Sequence, residues 1–324
     1  MTQMALSPIA GFDIGAEGRA RPLAEPWPAP RPAPGAAWRW LHLDLSDPAL
    51  AEWAETHLPP VAASALLQSE TRPRCTPLDT GLIVNLRGIN LNPGAEAEDM
   101  VSLRLWAEEQ LVVSVRMRPI IAIDELRRAA EAGHAAYTTG DFLAALAEAL
   151  TDRIESVSLA LDDATDEIEE AILEREDPGA ADDLAPLRRR AIRLRRFTGP
   201  QRDALVKLSE GHHALIGPGA RVLLGESANR TTRAVEELDA ISARLTALHD
   251  HLEAQRGMRM AQNGYVLSIV AAIFLPLGFL TGLFGVNVAG VPGLEWPWAF
   301  AVLVAVNVLL GLGLLALFRA LRWL

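Results

Sequence analysis

MAQNGYVLSIVAAIFLPLGFLTGLFGVNVAGVPGL, residues 260–294, contains no Asp, Glu, Lys, Arg or His and is the most informative segment for the fold of this chain. After Glu295, residues 296–318 form a second run without a charged side chain. A bilayer core about 30 Å thick is spanned by a helix of about 20 apolar residues. The two runs therefore predict transmembrane helices over residues 265–284 and 298–318, in preference to a buried hairpin in a soluble core.

Arginines lie just before the first span and just after the second. Arg256 and Arg259 precede the first span, Arg319 and Arg322 follow the second, and the connecting loop carries only Glu295. Because basic residues concentrate in cytoplasmic loops, we expect a multi-pass protein with both termini in the cytoplasm. The N-terminus has no basic segment followed by an apolar run, so no signal peptide is expected.

The overall composition excludes several classes of protein. The formal net charge of the 324 residues is −11, so the chain lacks the basic face that a nucleic-acid partner requires. One cysteine, Cys75, excludes a disulfide framework and a thiolate-cluster zinc site, and we expect it to be an inert small residue. No phosphate-binding loop with lysine, HExxH sequence or nucleophile elbow occurs, so the protein is not expected to be an enzyme.

Two regions precede the helical part of the chain. Residues 1–36 are rich in alanine and proline and are expected to form a disordered tail. Residues 37–133 predict a cytoplasmic α/β domain. Within it, hydropathy patterns indicate strands at 38–45, which should be half-buried, and 81–90, a hairpin at 101–118 and helices after Pro48 and Pro119.

Helical periodicity then continues towards the membrane. Residues 134–219 predict a helical bundle, and apolar residues three and four positions apart support helices at 142–176 and from Leu184 onwards. A third stripe begins near Ser227 and meets no helix breaker before Pro276, which a membrane helix tolerates. We expect a stalk helix over residues 220–264 that continues into the first span. The fold class is thus an α+β cytoplasmic domain followed by a long helical stalk and two transmembrane helices.

One face of the first span carries small or unbranched residues at helical spacing. Two spans cannot enclose an aqueous path, so a conducting protein would need several copies around an axis. On periodicity alone, such a face more often packs against another helix than lines a pore. The residues of this small-residue face are Gly264, Leu267, Ala271, Leu275, Gly278 and Gly282.

The end of the first span carries a recognisable motif, Phe284-Gly285-Val286-Asn287. This arrangement resembles the CorA family of divalent-cation transporters, whose members end the first of two membrane helices in Gly-X-Asn and have a basic C-terminus, here 319–324. The tripeptide Gly-Val-Asn, the loop VAGVPG and the stretches WLHLD and NLRGIN resemble the ZntB-type zinc transporters of that family. Phe284 and Val286 depart from the Tyr-Gly-Met-Asn of the magnesium channels, which weighs against magnesium selectivity.

The resemblance implies a funnel-shaped homopentamer in the cell inner membrane, with the lipid bilayer and its own copies as partners. It implies that hydrated or partly hydrated divalent cations pass through an axial pore lined by the first span. Zinc is the expected cargo and no cofactor is implied. The alternatives are a magnesium, cobalt or nickel channel and a non-transporting membrane-tethered scaffold. Proton coupling is linked to the zinc subgroup, but the spans contain no ionisable residue that could relay a proton.

The external loop, residues 285–297, supplies the candidate selectivity motif Gly285, Val286 and Asn287. A ring of Asn287 amide oxygens would hold a dication without removing its hydration shell. Gly285 would let the backbone turn and approach closely. Glu295 either raises the local cation concentration or is a solvated loop charge.

The predicted stalk carries the zinc-ligand types His249, Asp250, His251 and Glu253. Residues two positions apart on a helix point about 200° apart, so the two histidines of one chain cannot chelate one ion. Either neighbouring subunits share a site or these residues form a solvated face. The acidic run between residues 162 and 177 indicates a solvated helix face whose field attracts cations.

Overall fold

The computed structural model describes residues 6–23, 30–175, 178–211, 213–286, 291–293 and 295–321. The chain divides into two compact units, one up to His249 and one from Asp250. The strands are β1 (Ala10–Ile14), β2 (Ala20–Pro22), β3 (Trp38–Asp44), β4 (Arg74–Leu78), β5 (Gly81–Gly88), β6 (Val101–Ala107) and β7 (Leu111–Arg116). The helices are α1 (Leu50–His57), α2 (Pro60–Leu67), α3 (Ile121–Glu131), α4 (Thr139–Leu173), α5 (Ala181–Glu210), α6 (Pro218–Phe284) and α7 (Ala299–Ala320).

The first unit is built on a seven-stranded sheet with the order β2-β1-β3-β7-β6-β5-β4. All neighbouring strands run antiparallel except β3 and β7, which are parallel. The predicted hairpin at 101–118 is confirmed as β6 and β7. The predicted strands at 38–45 and 81–90 are confirmed as β3 and β5.

Helices cover both faces of this sheet, so the first unit has three layers. Trp38 and Trp40 of β3 face α4, where the ring centroid of Phe142 lies 5.7 Å from that of Trp38 and 4.8 Å from that of Trp40. Leu41 and Leu43, on the opposite face of β3, join the core formed with α1 and α2. The prediction that β3 is half-buried is therefore wrong, because side chains on both of its faces lie in a core.

Polar residues of β3 are buried because each has a partner. Arg39 donates to Asp13 of β1 at 2.8 Å. His42 lies 2.8 Å from the hydroxyl of Ser114, which also accepts a hydrogen bond from the Trp40 indole. Burial lowers the pKa of His42 to about 3, so this imidazole is neutral in the folded protein.

The prediction that residues 1–36 form a disordered tail is wrong for two segments of it. β1 pairs with β2 on one side and β3 on the other, and all five of its residues are buried. Apart from Pro8, the prolines of this stretch occur from Pro22 onwards, so the composition of the whole stretch conceals a five-residue strand without proline. Pro22 itself is tolerated because β2 is an edge strand of the sheet.

The helical predictions need correction mainly at their starts. α4 begins at Thr139, because the Thr138 hydroxyl accepts a hydrogen bond from the Asp141 amide and caps the helix. α6 begins at Pro218 and not near Ser227, in keeping with the preference for proline at the first position of a helix. The bundle predicted at 134–219 shares one core with the sheet, to which α4, α5 and α6 all contribute.

Candidate functional site

Two helices are long and apolar enough to cross a membrane, α6 and α7. The predicted first span, 265–284, ends at the last residue of α6, and the predicted second span, 298–318, falls within one or two residues of α7. Their side chains in the membrane segments are mostly exposed, unlike those of a soluble core helix. The stalk prediction is confirmed at the level of secondary structure, since α6 is one helix from Pro218 to Phe284.

Among the residues that the structure describes, none packs against the glycines of the predicted small-residue face of α6. A Cβ atom built at Gly264, Gly278 or Gly282 would meet nothing within 4 Å. The larger members of the face are open as well, with Leu267 69% and Leu275 73% exposed. This face is therefore available to another molecule.

α7 packs on the other side of α6. A Cβ atom at Gly311 of α7 would lie 3.6 Å from the Leu277 side chain, and Ile269 is the buried residue of this part of α6. At about 100° per residue, the contact side around Ile269, Leu277 and Leu280 lies about 180° from the small-residue face. The contact with α7 thus leaves the small-residue face uncovered.

Gly285 follows the last residue of α6. Its amide donates to the Thr281 carbonyl oxygen at 3.0 Å, and a Cβ atom at this position would lie only 2.9 Å from that oxygen. The close approach of the two backbone segments explains the need for glycine here. Val286 is exposed, whereas Asn287 lies outside the described residues.

Phe284 points to the side of α6 that faces α7. Together with Trp296, Pro297 and Phe300, it lines an apolar cavity of about 540 Å³ in the second unit. On the helix, Phe284 is nearly opposite the small-residue face. Of the two departures from the magnesium-channel motif, Phe284 therefore lies away from that face.

Glu295 lies in the loop that leads into α7. The preceding turn is closed by a hydrogen bond from the Trp296 amide to the Gly293 carbonyl at 3.0 Å, with Gly293 at a φ of 84°. Glu295 is exposed, and none of the described residues forms an ion pair with it. Its carboxylate is therefore open to solvent.

Polar side chains inside the spans bond to their own helices. Ser268 donates to the Gly264 carbonyl at 2.9 Å, Thr281 donates to the Leu277 carbonyl, and Asn307 of α7 donates to the Leu303 carbonyl at 2.9 Å. Asn307 is not among the site residues predicted from the sequence, although an amide in an apolar run of 23 residues is visible there. With their donors occupied, these groups do not offer a polar path through one chain.

The stalk residues proposed as cation ligands are exposed, and two have partners on their own helix. His251 lies 2.9 Å from the Gln255 side chain, and Glu253 accepts from Arg256 at 2.8 Å. His249 and Asp250 are exposed. Within the described part of the chain, no three His, Cys, Asp or Glu side chains come together as a metal site.

The acidic run on α4 is partly neutralised by arginines of α6. Arg244 pairs with Asp162 at 2.9 Å, with Glu169 at 2.6 Å and with Asp166. Earlier on α6, Arg230 pairs with Asp152 at 2.7 Å and with Glu155, two residues of α4 that precede the acidic run. Asp162, Asp166 and Glu169 keep 36%, 63% and 37% of their side chains exposed, so the predicted acidic face is solvated there, although a long arginine side chain of α6 reaches across to pair with it.

The chain is similar to known proteins in both sequence and structure. A family model described as CorA-like Mg2+ transporter protein matches residues 35–320. The zinc transport protein ZntB of Pectobacterium atrosepticum is 36% identical over 287 residues, which cover 88% of each chain. The divalent cation transporter CmaX of Pseudomonas aeruginosa is 38% identical over 297 residues, covering 88% of this chain and 87% of CmaX. A solved structure of full-length CmaX matches all of both chains with a TM-score of 0.81 and 34% identity.

Proposed function

The chain belongs to the CorA-like Mg2+ transporter family, and we propose on this premise that it transports divalent cations across a membrane, with zinc as its cargo. Relatives named for zinc transport and for divalent cation transport share more than a third of their residues with it over most of its length. The two apolar helices supply the membrane-spanning part that such a function requires. The residues quoted for the ZntB-type resemblance favour zinc.

The proposed path is an axial pore in a homo-oligomer, a pentamer by the family resemblance, lined by the small-residue face of α6. The observation that carries this proposal is the position of that face, which is open in one chain and lies about 180° from the α7 contact. Copies arranged around an axis would cover the open faces and enclose a path. Small side chains leave room for an ion that keeps its water shell.

At the external end of the pore, Asn287 would contribute one amide oxygen per subunit to a ring. Neutral oxygens bind a hydrated dication weakly enough to release it, which conduction requires. Gly285 and Val286 would set the approach of the backbone to that ring. The exposed carboxylate of Glu295 would attract cations towards it. The arginines beside the spans support an inner-membrane protein with both termini in the cytoplasm.

A magnesium, cobalt or nickel channel is the second candidate within the same class. The position of Phe284 supports this second candidate. This departure from the magnesium motif lies on the α7 side of the helix and not on the face proposed to line the pore. A zinc site shared between subunits through His249, Asp250, His251 or Glu253 remains a proposal for cytoplasmic sensing. No catalytic residues are proposed.

The test is zinc and magnesium flux into proteoliposomes, with and without a proton gradient. Asn287→Ala should lower zinc flux at least tenfold, because it removes the amide ring. Asn307→Ala is the matched control, since that amide donates to its own helix at Leu303, and it should leave flux near the wild-type value.

Each result decides between the candidates. Zinc flux above magnesium flux that falls only in Asn287→Ala supports the proposed transporter, and acceleration by the gradient adds proton coupling. Magnesium flux at least equal to zinc flux would place the chain with the channels. No flux of either ion from folded, oligomeric protein would favour the membrane-tethered scaffold.

A further inference from the structure

A cavity of about 500 Å³ lies in the first unit, between the edge strand β4 and the end of α5. Pro77, Leu82, Leu208 and Ile216 give it apolar walls. Its volume is within the range of small-molecule binding sites, about 300–1,000 Å³. None of its lining residues belongs to a membrane span, and the proposed transport does not use it.

The cavity lining includes one lysine, Lys207, which is the only lysine of the sequence. Lys207 is exposed, and no acidic side chain among the described residues pairs with it. The residues that line the cavity include no Asp or Glu. The ammonium group is therefore available to an anion that enters the cavity.

His213 contributes to the cavity wall an imidazole whose two ring nitrogens are both hydrogen-bonded. Its Nε2 lies 3.3 Å from the Leu78 carbonyl oxygen, and its Nδ1 lies 3.4 Å from the Leu215 amide nitrogen. Since a carbonyl only accepts and an amide N–H only donates, the hydrogen is on Nε2 and Nδ1 accepts. Both ring nitrogens are occupied, so His213 is not free to bind a metal beside Cys75.

Cys75 completes the wall as a neutral group. It is 7% exposed, and burial raises the pKa of its thiol to about 11, against a smaller lowering by Lys207. At neutral pH it is a thiol and behaves as a small apolar side chain. The cavity therefore combines apolar walls with a single positive charge.

We propose that this cavity binds a small organic monocarboxylate, with its apolar body against Pro77, Leu82, Leu208 and Ile216 and its carboxylate at Lys207. An inorganic anion would leave the apolar walls in contact with water. A neutral apolar molecule would gain nothing from the ammonium group. A metal ion would find a thiol and a histidine whose nitrogens are already bonded.

Because Cys75 is the only cysteine, its alkylation reports on this cavity alone in the full chain. We would measure the rate of Cys75 modification by iodoacetamide at pH 9, in nanodiscs, against rising benzoate. Benzamide, which has nearly the same shape without the charge, is the matched probe. Benzoate should slow the reaction saturably, at a concentration at least threefold lower than benzamide.

Lys207→Gln should raise the half-protecting benzoate concentration about threefold or more and leave the effect of benzamide unchanged. Arg128→Gln, which removes another exposed and unpaired cation of the same unit, should behave as wild type. Rates are compared with and without probe within each variant, since removal of Lys207 also changes the thiol pKa. The proposal is overturned if benzoate gives no protection, if benzamide protects equally well, or if protection survives Lys207→Gln.

Discussion

At the scale of single residues, the local backbone geometry favours glycine at position 285 of the Gly-Val-Asn motif. The Thr281 carbonyl oxygen occupies the space that a Cβ atom at position 285 would need, at 2.9 Å. The glycine of this motif thus has a steric reason that is independent of any ion.

Gly285→Ala should displace the end of α6 and reduce zinc flux several-fold, because the added methyl group and the Thr281 carbonyl cannot both keep their places. Gly257→Ala is the control, since a Cβ atom there meets nothing within 4 Å and alanine favours a helix. Proteoliposome flux would be measured for both variants. Normal flux in Gly285→Ala would show that the helix end adapts.

His42 gives a prediction about pH. In the unfolded chain its imidazole takes a proton below about pH 6.5, whereas burial, with a smaller effect of Arg116, keeps the folded pKa at about 3. The unfolded state therefore binds more protons in this window, and stability falls as the pH drops through it. The contribution of His42 to this loss is about 2 kcal/mol at pH 5.

His42→Asn should reduce the difference in unfolding free energy between pH 7 and pH 5 by about that amount. Urea unfolding of the detergent-solubilised chain, followed by tryptophan fluorescence, would measure it. The comparison is of pH differences, because carboxylates that titrate in both proteins then cancel. Equal pH dependence in the two proteins would mean that His42 accepts a proton in the folded state.

At the scale of elements, β1 is the segment whose role composition concealed. It lies inside the sheet, and Asp13 pairs with Arg39 of β3 with only 11% and 4% of their side chains exposed. Removing one member of a buried ion pair typically costs about 3 kcal/mol or more. The N-terminal strand is thus part of the core and not an appendage.

Asp13→Ala should lower the free energy of unfolding by about 3 kcal/mol. Glu17→Ala is the matched control. The side chains of Glu17 and its partner Arg19 are each 80% exposed, so this ion pair should contribute little to stability. Urea titration of the full chain measures both. A loss in Asp13→Ala no larger than in Glu17→Ala would contradict the structural role assigned to β1.

At the scale of the whole molecule, the small-residue face of α6 should matter only once several copies assemble. Gly278→Leu would place a bulky side chain into the proposed pore and should lower zinc flux at least tenfold. Gly313→Leu, on α7, is the control: a Cβ atom at either glycine meets nothing within 4 Å in one chain. Equal loss of flux in both variants, with the oligomer intact by size-exclusion chromatography, would argue against α6 as the pore lining.

The sequence alone determined the membrane spans, the stalk helix, the β6–β7 hairpin and the family motif. These depend on local signals: uncharged runs, helical spacing, alternation and a short motif whose position can be counted. The small-residue face of α6 could also be named from spacing, since helical geometry places residues three and four apart on one side.

Which residues these local elements contact could be seen only in the folded chain. Pairing of Asp13 with Arg39, and of Arg244 with Asp162, Asp166 and Glu169, joins residues distant in the sequence. The same holds for the cavity that unites Cys75 with Lys207 and His213. A strand as short as β1 is stable because β2 and β3 saturate its hydrogen bonds, and that stabilisation is not encoded in its own five residues.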